Sequence, residues 1–306
     1  MFRAFSLAAA IAAFALAVLG SWIRINGAGM TCPDWPLCHG AVVPALDGSI
    51  VLEWSHRMLA LLVGLLLLGA IVTGWRARRS VAGVTAVLVA LGGIFALQVA
   101  FGAATVAVAN SPWSVVLHWG TGMLLLAALT ALAIVAIVQP RPGLPRRQSG
   151  LFPLLAVTVA GAFVAMCAGA YVSSSGAGLA CSSLPGCEGG SWAGASAAET
   201  AQMTHRALAA LFFILATIVA YWSSLAATPR VRLAALGGYA LIVLQVMLGM
   251  ANVVWQLPLG LREAHAANAA ATFIVFVCAI VFASIDGTVR ASAAADRVPA
   301  SAARAR

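Results

Sequence analysis

The chain alternates between long apolar runs and short polar connections. A helix that crosses a membrane needs about 20 mostly apolar residues, and eight runs in this sequence are long enough. They cover residues 4–22, 53–75, 81–108, 114–138, 152–172, 202–226, 231–254 and 265–285. The pattern therefore predicts an all-α integral membrane protein with eight transmembrane helices.

The composition agrees, because 63% of the residues are hydrophobic and only 8% are charged, against about 25% charged in a typical soluble domain. A lipid bilayer, rather than water, is the expected solvent. The net charge of +9 comes from arginines at the ends of the apolar runs, with no basic groove among aromatic residues, so we exclude nucleic-acid binding. No Gly-rich nucleotide fingerprint is present, which argues against NAD or flavin.

The arginines also indicate an orientation. They concentrate near the N-terminus, in alternate connections and in the C-terminal tail: Arg3, Arg76, Arg78, Arg79, Arg141, Arg146, Arg147, Arg230, Arg232, Arg290, Arg297, Arg304 and Arg306. The positive-inside rule assigns such segments to the cytoplasm. Both termini are therefore expected to be cytoplasmic.

Two cysteine pairs with the same spacing, Cys32 with Cys38 and Cys181 with Cys187, occupy long loops on the opposite side. That side is the oxidising one, where disulfides persist. A zinc knot would need four thiolates or added histidines, and each loop has two cysteines. A disulfide that braces each loop is the preferred interpretation.

The chain also repeats itself. Cys32, Cys38 and His56 recur 149 residues later at Cys181, Cys187 and His205, and His118 recurs 147 residues later at His265. The repeat predicts two tandem pseudo-symmetric four-helix bundles, related by an axis along the membrane normal. The predicted units are residues 1–139, a cytoplasmic linker at 140–150, residues 151–286 and a disordered cytoplasmic tail at 287–306.

Four of the five histidines begin alternate spans at the cysteine side, two in each half: His56, His118, His205 and His265. His39 lies in the first cysteine loop and is interpreted as a surface residue. Ionisable side chains within a membrane are costly and usually functional. Two opposed imidazoles in a four-helix bundle suit the axial positions of a haem iron, whereas zinc needs three or four protein ligands.

Three further residues have two interpretations each. Arg57 and Arg206, which follow the first histidine of each half, either extend to water or bind haem propionates. Glu53 lies three residues before His56 and on the same helix face, and its repeat equivalent is Gln202. Glu53 is either an interfacial carboxylate paired with an arginine or the sign that one half performs chemistry while the other holds an electron-carrying haem.

These motifs together resemble the haem A synthase family. The segment from Gly27 to Cys38, with its Cys-Pro-Asp-Trp-Pro-Leu-Cys loop, is similar to the first outer loop of that family, and Glu53 to Arg57 resembles its E-x-x-H-R motif. Gln98, Gly102 and Thr105, the segment Gly176 to Cys187, and His205-Arg206 resemble later family motifs. The second loop departs from the first, because it lacks the Asp-Trp pair.

The resemblance implies oxidation of the C8 methyl of haem O to a formyl group, giving haem A for cytochrome oxidase assembly. It implies that His205 and His265 ligate a resident haem b, that His56 and His118 frame the substrate haem, and that Glu53 is catalytic. The expected location is a bacterial inner membrane. Expected partners are haem O, haem O synthase, cytochrome oxidase assembly factors, the lipid bilayer and a quinone as candidate electron partner. A di-haem electron-transfer cytochrome b subunit and a haem carrier or chaperone are the alternatives.

Overall fold

The computed structural model describes residues 1–140 and 151–295. In that part of the chain there are eight α-helices, each long and apolar enough to cross a membrane. They are α1 (Phe2–Ile25), α2 (Ile50–Ala77), α3 (Val84–Ala107), α4 (Pro112–Val138), α5 (Leu151–Ser174), α6 (Ala197–Ala226), α7 (Pro229–Val254) and α8 (Leu259–Ala295). The prediction of an all-α protein with eight spans is confirmed.

Several helices extend past the predicted apolar runs. α6 begins at Ala197 rather than at residue 202, because Ser196 caps it: the Ser196 hydroxyl accepts a hydrogen bond from the Glu199 backbone N–H, and the Glu199 carboxylate accepts one from the Ala195 backbone N–H. Such reciprocal capping satisfies N–H groups that a helix start leaves unpaired. The length of an apolar run in the sequence therefore predicts only the part of a helix that contacts lipid.

α8 differs most from its prediction, since it runs from Leu259 to Ala295 rather than over residues 265–285. The first residues of the tail predicted to be disordered are therefore helical, because Ala-rich sequence has a high helix propensity. Residues 296–306, and the predicted linker apart from Pro140, lie outside the described residues.

The helices pack as two sets of four. α1 contacts α2 and α4, and α3 contacts its neighbours α2 and α4; α5 to α8 repeat this pattern. Contacts between the sets run through α4 with α5, α1 with α8, and α4 with α8. α4 and α8 are the most buried spans, at 56% and 44% of their most apolar windows, against 17–28% for the others. These two helices therefore form the centre of the protein.

Small residues bring neighbouring helices close together. A Cβ atom on Gly69 of α2 would lie 2.6 Å from a ring carbon of Phe5 in α1, and one on Gly74 would lie 2.8 Å from Phe2. Lipid is as apolar as a leucine side chain, so close packing rather than water exclusion holds membrane helices together. The two glycines allow the aromatic rings of α1 to lie directly against the α2 backbone.

The two ends of the bundle differ in character. At the end where α1, α3, α5 and α7 finish, the two cysteine loops cover the helices; we call it the cysteine end. At the other, the linker end, Arg3 donates hydrogen bonds to the Ala136 and Ile137 carbonyls at the end of α4. Asp286 accepts hydrogen bonds from Thr228 and, at 2.5 Å, from Arg230. These contacts fix the connections at the arginine-rich end.

Candidate functional site

Both predicted cysteine pairs lie at disulfide distance, with Cα–Cα separations of 4.7 Å for Cys32–Cys38 and 4.6 Å for Cys181–Cys187. All four sulfur-bearing side chains are buried. The predicted disulfides are thus confirmed in the structure. His39 is exposed, as predicted, and its Nε2 lies 2.8 Å from the Thr31 carbonyl oxygen.

Glu53 connects the first cysteine loop to α2. Its side chain is buried, and Oε2 accepts hydrogen bonds from the Cys32 backbone N–H at 2.8 Å and from the Thr31 hydroxyl at 3.1 Å. Oε1 accepts a hydrogen bond from Arg57 at 2.7 Å, one turn further along the helix. A carboxylate is favoured at this place because it lies in the first turn of α2, where unpaired N–H groups give the helix a partial positive charge.

Gln202 makes the equivalent contacts in the second loop without a charge. Its Oε1 accepts a hydrogen bond from the Cys181 backbone N–H at 2.5 Å, and its Nε2 donates to the Gly178 carbonyl at 2.8 Å. The residue is as buried as Glu53. Both side chains therefore support a cysteine loop, and they differ in that only Glu53 is acidic.

Arg57 and Arg206 bind the loops that cover them. Arg57 donates to the carbonyls of Cys32, Asp34 and Leu37 as well as to Glu53. Arg206 donates to the carbonyls of Cys181, Ser183, Pro185 and Gly186. Sequence reasoning missed this use, because neither of its two interpretations, contact with water or with propionates, involved the loop backbone. Their role as propionate partners stays a prediction.

Each of the four histidines at equivalent repeat positions lies against a glycine of the preceding helix. The distance from a Cβ built on that glycine to the nearest ring atom, Cε1, is 2.9 Å for Gly20 with His56, 3.0 Å for Gly102 with His118, 2.8 Å for Gly169 with His205 and 3.3 Å for Gly249 with His265. Real Cβ contacts almost never fall below 3.0 Å. Glycine therefore creates the space in which each imidazole ring lies, most strictly at Gly20 and Gly169.

In three of the four imidazoles, one ring nitrogen has no hydrogen-bond partner in the described part of the protein. The Nδ1 atoms of His56, His118 and His265 are buried without a hydrogen-bond partner. His205 Nδ1 lies 3.1 Å from the Ala165 carbonyl. If His205 donates to that carbonyl, its Nε2 presents a lone pair. This is the usual arrangement of metal-binding histidines, in which one ring nitrogen donates to a carbonyl or carboxylate and the other binds the metal.

Two glutamines face the second histidine of each half. Gln98 Nε2 lies 3.5 Å from His118 Nε2, and Gln245 Nε2 lies 3.1 Å from His265 Nε2. Thr121 and Asn268 donate hydrogen bonds to the side-chain oxygens of Gln98 and Gln245 respectively. The amide orientation is thus fixed in both halves, with the N–H side toward the imidazole.

In the second half, a cavity of about 780 Å³ is bordered by both His205 and His265. Its walls also include the two glycines that accommodate these rings, the loop anchor Gln202, and Trp119 from the first half. Pockets for cofactors usually measure about 300–1,000 Å³. Among the described residues, no group of three or more His, Cys, Asp or Glu side chains is placed to hold a metal ion. Paired imidazoles are therefore the metal-binding donors that this cavity offers.

Two features of this region were missed by sequence reasoning. Arg262 and Arg24 both border the cavity of the second half, although Arg24 belongs to the first. Arg24 donates a 2.6 Å hydrogen bond to Ser173, its own repeat equivalent 149 residues away. The alignment of Arg24 with Ser173 was visible in the sequence, but periodicity does not show that the two residues meet.

A family model described as "Cytochrome oxidase assembly protein" (COX15-CtaA) matches residues 3–277. A protein of Bacillus pumilus named "Heme A synthase" is 30% identical over 260 residues, covering 80% of this chain and 83% of that protein. Another of that name from Symbiobacterium thermophilum is 31% identical over 264 residues, 81% of this chain and 84% of the relative.

A "Protoheme IX farnesyltransferase" of Halobacterium salinarum is 35% identical over 128 residues, which is 42% of this chain and 28% of that protein. The family match, in contrast, extends over both sets of four helices and all four paired histidines. From the span of that match and from the two synthase relatives, the chain belongs to the COX15-CtaA family of cytochrome oxidase assembly proteins.

Proposed function

We propose that this protein is a haem A synthase, which oxidises the C8 methyl group of haem O to a formyl group. The support is membership of the COX15-CtaA family and similarity to two relatives named for this activity. The observation that supports placing the reaction in the first half is the difference between Glu53 and Gln202. They make the same contact to a cysteine loop, but only the first half has a carboxylate there.

The second half would hold a resident haem b, and His205 and His265 are the residues that would bind its iron. The support is the 780 Å³ cavity that both side chains border, together with the Ala165 carbonyl beside His205 Nδ1. A bound haem b would carry electrons singly between the reaction and an external partner. Gly169 and Gly249 make room for the two rings, and the second cysteine loop covers the cysteine end of this half.

The first half binds the substrate haem between His56 and His118. These rings lie against Gly20 and Gly102 as the second-half rings lie against their own glycines, and both retain an unpaired Nδ1. If both ligate the substrate iron, no open position remains on that iron for oxygen. Water is then the preferred source of the formyl oxygen.

The reaction balances with water as the oxygen donor. Conversion of the methyl group to the alcohol consumes one water and releases two protons and two electrons; conversion of the alcohol to the formyl releases two more of each. A membrane quinone is the electron acceptor by chemical class. Glu53 acts as the base or stabilises developing positive charge. Its two oxygens accept three hydrogen bonds, which leaves about one of some four lone-pair sites for a proton.

The substrate and orientation follow from the same assignment. Haem O must come from a reaction that adds a farnesyl-type chain to protohaem, and the similarity to part of a protohaem farnesyltransferase agrees with this. The product goes to cytochrome oxidase assembly. The protein lies in the cell membrane with its arginine-rich linker end and both termini in the cytoplasm, so the disulfides face the oxidising side.

One experiment separates this function from its alternatives. The chain is expressed together with a haem O synthase, and the extracted haems are resolved by reversed-phase chromatography. Haem A or its alcohol precursor is expected. Haem b alone would instead indicate an electron-transfer cytochrome, and haem O bound without change would indicate a carrier. Parallel growth in ¹⁸O-labelled water and under ¹⁸O-labelled dioxygen then identifies the oxygen source from the alcohol precursor, whose oxygen does not exchange with water. Label from water and none from dioxygen is the expected result.

A further inference from the structure

The cavity of the second half has an unbalanced charge. Three arginines border it, Arg24, Arg206 and Arg262, and among the residues that the structure describes no aspartate or glutamate does. Glu263, beside Arg262 in α8, interacts electrostatically with Arg24 but does not border the cavity. Three cations and one carboxylate leave a surplus of two positive charges at the mouth of an otherwise largely apolar space. Charges removed from water need partners.

These arginines differ in how many hydrogen bonds they already donate to the protein. Arg206 donates to four loop carbonyls. Arg24 has one hydrogen bond, to Ser173. Arg262 makes no side-chain hydrogen bond, and the ion pairs found within residues 1–140 and 151–286 involve other arginines, Arg57 and Arg230. Arg24 and Arg262 therefore have donors available for an anion, and guanidinium groups bind carboxylates through two parallel hydrogen bonds.

Their position relates them to the histidines. Arg262 lies in the first turn of α8, three residues before His265 and so on the same side of the helix. Arg24 lies in the last turn of α1, at the same cysteine end. A ligand that reaches both histidines and carries anionic groups at one edge would bring those groups toward this pair.

We propose that Arg24 and Arg262 bind the two propionate groups of the haem in the second-half cavity, so that the first half contributes a residue to the cofactor site of the second. This inference rests on the proposed function. Two carboxylates match the surplus of two positive charges. Because Arg24 crosses from α1, the bound haem also links the two sets of helices.

The repeat predicts that the first half lacks this pair. The equivalent of Arg24 is Ser173, and the equivalent of Arg262 is Val115, 147 residues earlier. Neither can neutralise a propionate. The haem of the second half is therefore retained as a cofactor, whereas the haem of the first half, which must leave as product, is held without these two cations.

The test is the rate at which the purified full-length protein loses haem to excess apomyoglobin, followed by the Soret band. Arg24→Gln and Arg262→Gln should each raise the rate about tenfold, as expected for loss of a charge-assisted hydrogen bond, and should lower the midpoint potential, because a nearby cation stabilises the reduced haem. Arg24→Lys should keep the haem-loss rate and the midpoint potential close to their wild-type values, because lysine preserves the positive charge. The matched control is Arg232→Gln, an exposed arginine at the linker end, which should change neither quantity.

A second measurement tests the ligand side. Protein produced in a haem-deficient host is reconstituted with haem or with its dimethyl ester, which lacks both charges. The wild type should retain haem about a hundredfold longer than the ester, because two interactions of about tenfold each are lost together, and the Arg24→Gln, Arg262→Gln double variant should not discriminate. Equal loss rates for all variants, or discrimination that survives in the double variant, would overturn the inference and leave the proposed function intact. A wild type with no bis-histidine haem spectrum would instead contradict the proposed function.

Discussion

The two cysteine loops are anchored by equivalent hydrogen bonds to side chains of different charge. In the first half, a carboxylate accepts the Cys32 N–H and pairs with Arg57; in the second, an amide accepts the Cys181 N–H and Arg206 is satisfied by four carbonyls. The second half thus shows that a neutral side chain is sufficient to accept the cysteine N–H and hold the second loop in place. In the first loop the carboxylate also pairs with Arg57.

This comparison narrows the two interpretations of Glu53. It is an interfacial carboxylate paired with an arginine, as one interpretation held. Yet that pairing has no counterpart in the second half, where the fold of the loop is kept without it. A charge that the equivalent position of the other half does without, in the half proposed to bind substrate, is the reason that we propose a chemical role for Glu53.

The largest difference is expected between His265→Ala and His118→Ala, which are equivalent positions in the two halves. Loss of His265 should remove most of the resident haem. The fall in haem affinity should exceed the roughly 10- to 100-fold that is usual when a residue supporting a metal ligand, rather than the ligand itself, is changed. Loss of His118 should leave that haem in place and abolish haem A formation. Pyridine haemochrome content and haem chromatography measure the two outcomes. Equal loss of resident haem in both variants would remove the distinction between the halves.

The next effect concerns Glu53→Gln. Turnover should fall by about 10²–10⁴-fold, the usual contribution of an acid–base group, while the disulfide and haem content stay unchanged, because Gln202 already shows that an amide supports a loop. The reverse change, Gln202→Glu, is the matched control and should leave turnover close to normal. Haem A production at the wild-type rate in Glu53→Gln would show that the carboxylate has no part in the reaction.

A smaller effect is expected from the glycines that accommodate the histidine rings. Gly169→Ala places a methyl group 2.8 Å from His205, and such overpacking costs about 1–3 kcal/mol. Gly249→Ala should cost less, since its contact is 3.3 Å. Gly92→Ala in α3 meets nothing within 4 Å and should be neutral or slightly stabilising. Thermal unfolding followed at the Soret band gives the order; the same loss in all three variants would contradict the steric explanation.

The smallest effect is a pH dependence of the first loop. Backbone N–H groups of Gly40 and His39 donate to Asp34 and lower the pKa of that carboxyl below its usual value. A carboxyl with a lowered folded-state pKa stabilises the fold above its unfolded pKa, and this contribution is lost as the pH falls through the folded value. The loop should therefore be unchanged at neutral pH and loosen only below about pH 4.

Reduction of Cys32–Cys38 by a phosphine, measured by mass spectrometry after alkylation, reports this loosening. Asp34→Asn should speed reduction a few-fold at pH 6, and its difference from the wild type should shrink as the pH falls through the lowered folded-state pKa of Asp34. Asp47→Asn, in the same loop, is the control. A pH-independent difference between Asp34→Asn and the wild type would mean that the loop does not depend on the ionised carboxylate.

The helices and the disulfides were predictable from the sequence, because they depend on the length of apolar runs and on the spacing of cysteines. Eight apolar runs gave eight helices, and two identical cysteine spacings gave two disulfides, because a run of about 20 apolar residues and a six-residue loop leave the chain few alternatives. Helix ends were less accurate. Ser196 and Glu199 extend α6 beyond its apolar run by a local contact that hydropathy does not register.

Contacts that depend on the path of a loop or on the meeting of distant helices were not predictable. The carbonyls that Arg57 and Arg206 bind converge only because each cysteine loop folds back over its helix. Gln98 and Gln245 were visible as a repeat, but their proximity to the histidines was not. The glycines beside the rings carried a signal that could have been read, since each occurs twice at the repeat spacing.

The contact between Arg24 and Ser173 has a consequence for how such a protein can be built. A residue that touches its own counterpart lies where the two halves meet across their common axis. In a dimer of identical four-helix chains, that place would bring together two arginines, which repel, or two serines, which carry no charge. Two halves of different sequence, here joined in one chain, can set one arginine opposite one serine. Divergence between the halves is therefore what permits the two sites to differ at the line where they adjoin.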